Sequence, residues 1–199
     1  MTIQELNTAL DGVAKDLQGN SLGNIMVKIG SDARYMIDNR VRTTGTNAEG
    51  QKYAPYSTTS MLANCSSMTT GACSQIAGSK AKRRELKWVT LQKGGRNIRL
   101  FELPGGYKQY RELHNHQTGF VDFAFTNRMW NNIKVVSDKS EANQGRVRIS
   151  TTDDTEQKKL AGNTNRRGAI LKLSDSEITG LAKQLNDEIR IILEKNGTR

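Results

Sequence analysis

The sequence predicts an α+β fold in which N- and C-terminal helices pack on a small antiparallel sheet, with a long loop and β-hairpin inserted between them. Three observations carry this expectation. Apolar residues recur at helical spacing at both ends of the chain, short β-rich runs separated by turn residues fill the middle, and a long tract poor in core-forming residues interrupts them. With 199 residues, 35% of them hydrophobic, and a mean hydropathy of −0.65, the chain suffices for one domain with a modest core and extended arms.

Helical stripes come first. Ile3, Leu6, Leu10, Val13 and Leu17 fall on one helical face, and Thr2 with Glu5 forms a capping box, which predicts a helix over 2–18. A second stripe, Leu22, Ile25, Met26, Ile29, Ala33, Met36, Ile37 and Val41, predicts a helix over 22–43, with Gly23 and Gly30 lowering its propensity without breaking its pattern. The stretch AEGQKYAPYS then makes a stiff corner. Pro55 fixes its own φ and pushes Ala54 toward extended backbone, while Gly45 and Gly50 permit tight bends, leaving Tyr53 and Tyr56 to cover a helix end.

Residues 57–80 are dominated by Ser, Thr, Gly and Ala, so the sequence predicts a structureless stretch there, either functional or ordered only by a partner, within an inserted arm over 57–103 that is mobile in the free protein and ordered on assembly. Within that arm, LKWVTLQ and NIRLFEL flank Lys93, Gly94, Gly95 and Arg96 and read as a β-hairpin. The basic run Lys80, Lys82, Arg83 and Arg84 precedes it, and Lys87, Lys93, Arg96 and Arg99 mark its edges. Such a hairpin is either a solvated arm or a surface that meets polyanion. After Pro104, Gly105 and Gly106 a short helix is expected in YKQYRELHNHQ. The alternation of Phe123 and Phe125, a turn at Thr126 and Asn127, and the strand RVRIST then predict an antiparallel sheet over about 120–151. DTEQKKLAG reads as a companion helix. Ser174 and Glu177 form a second capping box ahead of Ile178, Leu181, Leu185, Ile189, Ile192 and Leu193, so a closing helix is expected over 174–195.

The charge balance is strongly positive: 30 Lys and Arg against 20 Asp and Glu give +10, which favours nucleic acid or an acidic protein surface as partner. No apolar run approaches the roughly 18 to 20 residues of a membrane span, and MTIQELNTAL has neither a basic start nor an apolar h-region. A cytosol-like compartment without membrane contact is therefore expected. Cys65 and Cys73 lack the neighbours of a metal site and are expected to be two free thiols in a loop. His114 and His116, in HNH, are expected to be structural or surface groups, since the three letters are adjacent with no acidic cluster behind them. No phosphate loop, placed nucleophile or metal cluster supports an enzyme, and no catalytic residue, metal or cofactor is implied.

Three ordered motifs resemble the head-tail connector and tail-completion proteins of tailed bacteriophages, also called virion morphogenesis proteins. The first is the glycine and aromatic-Ala-Pro corner, Gly50, Tyr53, Ala54, Pro55, Tyr56 and Ser57. The second is a turn ending in Arg and a hydrophobic residue, Thr126, Asn127, Arg128 and Met129, followed by Trp130 and Ile133. The third is the approach to the last helix, Arg166, Arg167, Ile170, Leu171, Leu173, Ser174, Asp175 and Glu177. Asn127 stands where the family usually has Gly, a substitution that left-handed backbone tolerates. The run GYKQYRELHNHQTGFVDFAFTNRMWNNI is also similar to the version in crAss-like phages.

The resemblance implies a structural virion protein of the neck or tail, made in the host bacterial cytoplasm, that forms a ring of six or twelve copies. Its partners would be copies of itself, the portal or other neck and tail proteins, and DNA passing nonspecifically through the channel. Lys80, Lys82, Arg83, Arg84, Lys93 and Arg96 are then the candidate groups facing DNA or an acidic partner. A basic protein that binds nucleic acid without sequence preference, as a monomer or dimer, is the alternative.

Overall fold

The computed structural model describes residues 20–124, 126–138 and 146–197; the helix expected over 2–18 lies outside them. The fold is mixed α+β, with two antiparallel sheets and terminal helices. The chain divides into two compact units, one formed by residues 1–52 with 122–199 and the other by Tyr53–Val121. It passes from one unit to the other beside the Gly-Pro-Tyr corner.

The first unit is organised by α1 (Asn20–Thr44), which packs against α7 (Asp175–Gly197) and against a two-stranded sheet of β4 (Ile133–Asp138) and β5 (Arg146–Thr151). Ile25, Ile29, Ala33, Ile37 and Val41 recur every four residues and are all buried, so the stripe read from the sequence is the face that makes the core. Gly30 has a purpose beyond tolerance. A Cβ there would lie 2.7 Å from Val135 Cγ1 and 2.9 Å from Val147 Cγ2, so only glycine lets the helix approach the sheet this closely. On α7, Leu181 is buried against Ile25, Ile29 and Ala33, with Leu185 and Ile192 half-buried beside them. Polar contacts set the pairing of the two helices: Gln184 Nε2 donates to Asp32 Oδ2 at 2.6 Å, Arg40 meets Glu177 at 2.9 Å, and Lys28 pairs with Glu188.

The sheet is shorter than the sequence suggests. Ile133 pairs with Thr151 and Asp138 with Arg146, but the residues from Val121 to Ala124 form no strand. Phe123 adopts φ 52°, which breaks the alternation its neighbours imply. Asn127 takes the left-handed conformation at the start of α5 (Arg128–Asn132), so the turn forms with Asn where glycine would be easiest. Trp130 is buried, its Nε1 donating to Asp122 O at 3.1 Å and its carbonyl accepting from Arg34 Nη2 at 3.0 Å. The companion helix α6 (Asp154–Arg167) is capped by Asp153, whose side chain accepts from Glu156 N.

The second unit corrects two expectations. The tract over 57–80 holds regular structure: β1 (Met61–Ala63), a 3-10 turn (Cys65–Ser67), α2 (Thr70–Ala77) and the start of α3 (Lys80–Glu85). Its order is local. Thr69 and Ser79 cap the two helices, and Ala72 and Ala77 are buried. The cysteines are also not free. Cys65 and Cys73 form a disulfide, because the 3-10 turn and the first turn of α2 fold back on each other and bring their Cα atoms to 5.2 Å.

The expected hairpin is present as β2 (Trp88–Lys93) and β3 (Arg96–Leu103), and β1 adds on the other side of β3. Ala63, Phe101 and Leu103 form its core, joined by Ile76, Leu86, Tyr110 and Leu113. The helix expected in YKQYRELHNHQ is α4 (Gly106–Leu113). Gly106, at φ 62°, admits no side chain, since a Cβ would stand 2.2 Å from the Thr59 carbonyl. His114 is structural: its Nε2 accepts from Thr69 N at 3.2 Å while Nδ1 sits 2.8 Å from Tyr110 O. Among the described residues, no helix is long and apolar enough to cross a membrane.

Candidate polyanion-facing site

Charge is unevenly spread between the two units. Ten of the 30 Lys and Arg but only three of the 20 Asp and Glu lie between Tyr53 and Val121, so seven of the ten net positive charges belong to the second unit. That unit is where the six candidate cations fall.

Lys80, Lys82, Arg83 and Arg84 occupy α3, and all four are exposed. They do not perform one task. Lys82 Nζ donates to Gln75 O at 3.0 Å and Arg83 Nε to Ala77 O at 2.6 Å, so both satisfy carbonyls at the C-terminal end of α2, where a cation also suits the helix dipole. Arg84 lines a cleft. Lys93 and Arg96 face each other across the hairpin end, around Gly94 and Gly95 with φ of 58° and 73°, the two positive values a tight hairpin turn requires. Five residues of strand separate that end from Trp88, about 17 Å at strand rise. The six cations therefore form two positive places, one at the hairpin end and one around α3.

The α3 group has partners that the sequence reading left out of the site. A cleft of about 560 Å³ is lined by Arg83, Arg84, Arg99 and Trp88 together with the Cys65–Cys73 disulfide. Arg99 lies over the Trp88 ring, its Cζ 4.4 Å from the centroid. Trp88 is held by Nε1 donating to Arg83 O at 2.8 Å and by an edge contact with Phe101 at 5.6 Å. Trp88 pairs with Phe101 and Thr90 with Arg99, so Trp88 and Arg99 are diagonal neighbours on one face. Only the strand register reveals that neighbourhood.

The residues of the three ordered motifs sit mostly at turns, helix ends and buried positions of the fold. Gly50, at φ 77°, closes the turn in which Asn47 Oδ1 accepts from Glu49 N and Gln51 N. Tyr53 and Tyr56 are buried, Pro55 is exposed, and Arg111 lies 4.3 Å from the centre of the Tyr56 ring. Thr126 is exposed in the turn before α5, and Arg128 Nε stands 3.8 Å from the buried Glu156 carboxylate, which also pairs with Lys159 at 2.8 Å. Arg166 is exposed in the last turn of α6. Ser174 and Glu177 form the reciprocal cap, Ser174 N donating to Glu177 Oε2 at 2.7 Å and Glu177 N to Ser174 Oγ at 3.3 Å. Burial of the Glu177 carboxyl opposes its ionisation, but the Arg40 guanidinium and the Ser174 N–H outweigh burial and hold its pKa below the ordinary value.

No protein-family model, no curated protein and no solved structure matches this chain.

Proposed function

We propose that this chain is a non-enzymatic virion protein of a tailed phage, forming a closed ring at the head-tail junction, in the neck or at tail completion, with DNA passing through its centre. The observation that carries the reading is the ordered set of three motifs. In this fold their residues act as turns, caps and buried anchors that set angles between elements, as a subunit that packs side by side with its copies requires. A ring follows when one surface of a subunit meets a different surface of the next and the rotation closes. The portal and other neck or tail proteins would bound the ring above and below. The concentration of positive charge in the second unit supports placing that unit toward DNA or an acidic neighbour, since a repeated basic unit draws phosphate through a salt-dependent field without reading bases.

The same charge concentration favours a second reading, a basic protein that binds nucleic acid as a monomer or dimer. Charge reversal at Lys80, Arg84, Lys93 and Arg96 in phage-producing cells tests the ring reading. Lys82 and Arg83 are left intact because they cap α2. The ring reading expects an unchanged melting temperature and a lower yield of infectious, DNA-filled tailed particles. Normal particles that retain their genome would make these cations a solvated surface and remove the assigned DNA-facing side.

A further inference from the structure

The cleft beside α3 has the features of a built anion site. Arg83, Arg84 and Arg99 line one recess, and none of them has a carboxylate within ion-pair distance among the described residues. Elsewhere the basic side chains Arg40, Lys87, Lys159 and Lys172 do have such partners. Three like charges held together repel, and an anion entering the recess relieves that repulsion. Two of the guanidiniums are also held in place before any ligand arrives. Arg83 is tethered at Nε by the Ala77 carbonyl, and Arg99 rests on the Trp88 ring. Binding then orders fewer rotamers than it would on a loose basic surface.

The shape narrows the ligand. Planar guanidinium forks match the oxygens of phosphate, and Trp88, one face of which Arg99 covers, and the disulfide add apolar wall beside them. A volume of about 560 Å³ falls in the range of small-molecule sites, about 300–1,000 Å³. It is large enough for a single nucleotide. A second copy of the chain is a poor occupant, because the residues outside the second unit also carry a net positive charge. An acidic peptide would meet the arginines but leave the aromatic wall unused.

We propose that this cleft binds one nucleotide unit, its phosphate held by Arg83, Arg84 and Arg99 and its base against the Trp88 and disulfide wall. The unit comes either from a single strand of nucleic acid or from a free nucleotide. The inference rests on the second unit alone and is independent of ring assembly.

The test uses the full chain. Anisotropy of a labelled short oligothymidylate measures binding, and quenching of tryptophan fluorescence reports Trp88, since the other tryptophan, Trp130, is 1% exposed. Arg84→Gln and Arg99→Gln should each weaken oligothymidylate binding about tenfold, the scale of one lost charge-assisted bond. The hairpin-end variant Lys93→Gln with Arg96→Gln should weaken it less. Thymidine monophosphate competing at the same site identifies a free nucleotide as the source, whereas binding only by the oligomer identifies a strand. The assignment is overturned if neither binds, or if polyglutamate displaces the oligomer as well as thymidine monophosphate or unlabelled oligothymidylate does. Equal weakening by cleft and hairpin-end variants would also overturn it, since only the general field would then be at work. Unchanged thermal melts of the variants separate lost binding from lost folding.

Discussion

At the residue scale, Glu177 joins two parts of the first unit: it completes the cap of α7 and receives Arg40 from α1, which ties the two helices together. Its ionisation is coupled to folding. Because the folded pKa is depressed, the stabilisation is present above the unfolded value of about 4.3 and disappears as the pH falls through the lower folded value. Glu177→Gln should lower stability near neutrality by about 1–3 kcal/mol, the range for a partly buried polar group that loses one partner. Urea unfolding between pH 7 and pH 3 should show the difference from the parent protein shrinking on acidification. A difference that stays constant over that range would mean that the ion pair does not set it.

At the element scale, the disulfide loop decides whether the second unit can hold its cleft. The bond links residues eight apart, and closing so short a loop stabilises by about 2–3 kcal/mol in the chain-entropy account. Replacing both Cys65 and Cys73 by Ser should therefore lower the stability of this unit by about that amount, as should a reducing agent added to the parent protein. Hydrogen exchange at the amides of α2 measures it locally, and unchanged protection in both cases would show that the Ala72 and Ala77 packing suffices. This loop is also where sequence reading stopped. The long stripes of α1 and α7 exceed several helical turns, so their period is plain, and Gly94 with Gly95 marks the hairpin by its backbone demand. In contrast, α2 and α3 have eight and six residues, too few to display a period; α2 is built mostly from small and polar side chains, and α3 has no hydrophobic residue but Ala81. Arg83 and Arg84 of the candidate site were legible in the basic run itself. Trp88, Arg99 and the disulfide joined it only through register and a chain reversal, which composition does not carry.

At the scale of the whole molecule, the two units differ in kind. The first is nearly balanced in charge and rich in motif residues that fix angles, while the second carries most of the net positive charge on a hairpin end and a cleft. A ring subunit needs both properties, a rigid body that repeats and a surface that tolerates phosphate nearby. The most direct measurement of this account is an electron-microscopic image of tailed particles in which the chain carries a dense label. The account predicts label arranged as a closed ring, with copies equally spaced about the head-tail axis. Particles without axial label, together with the chain recovered as a monomer or dimer on nucleic acid, would contradict it.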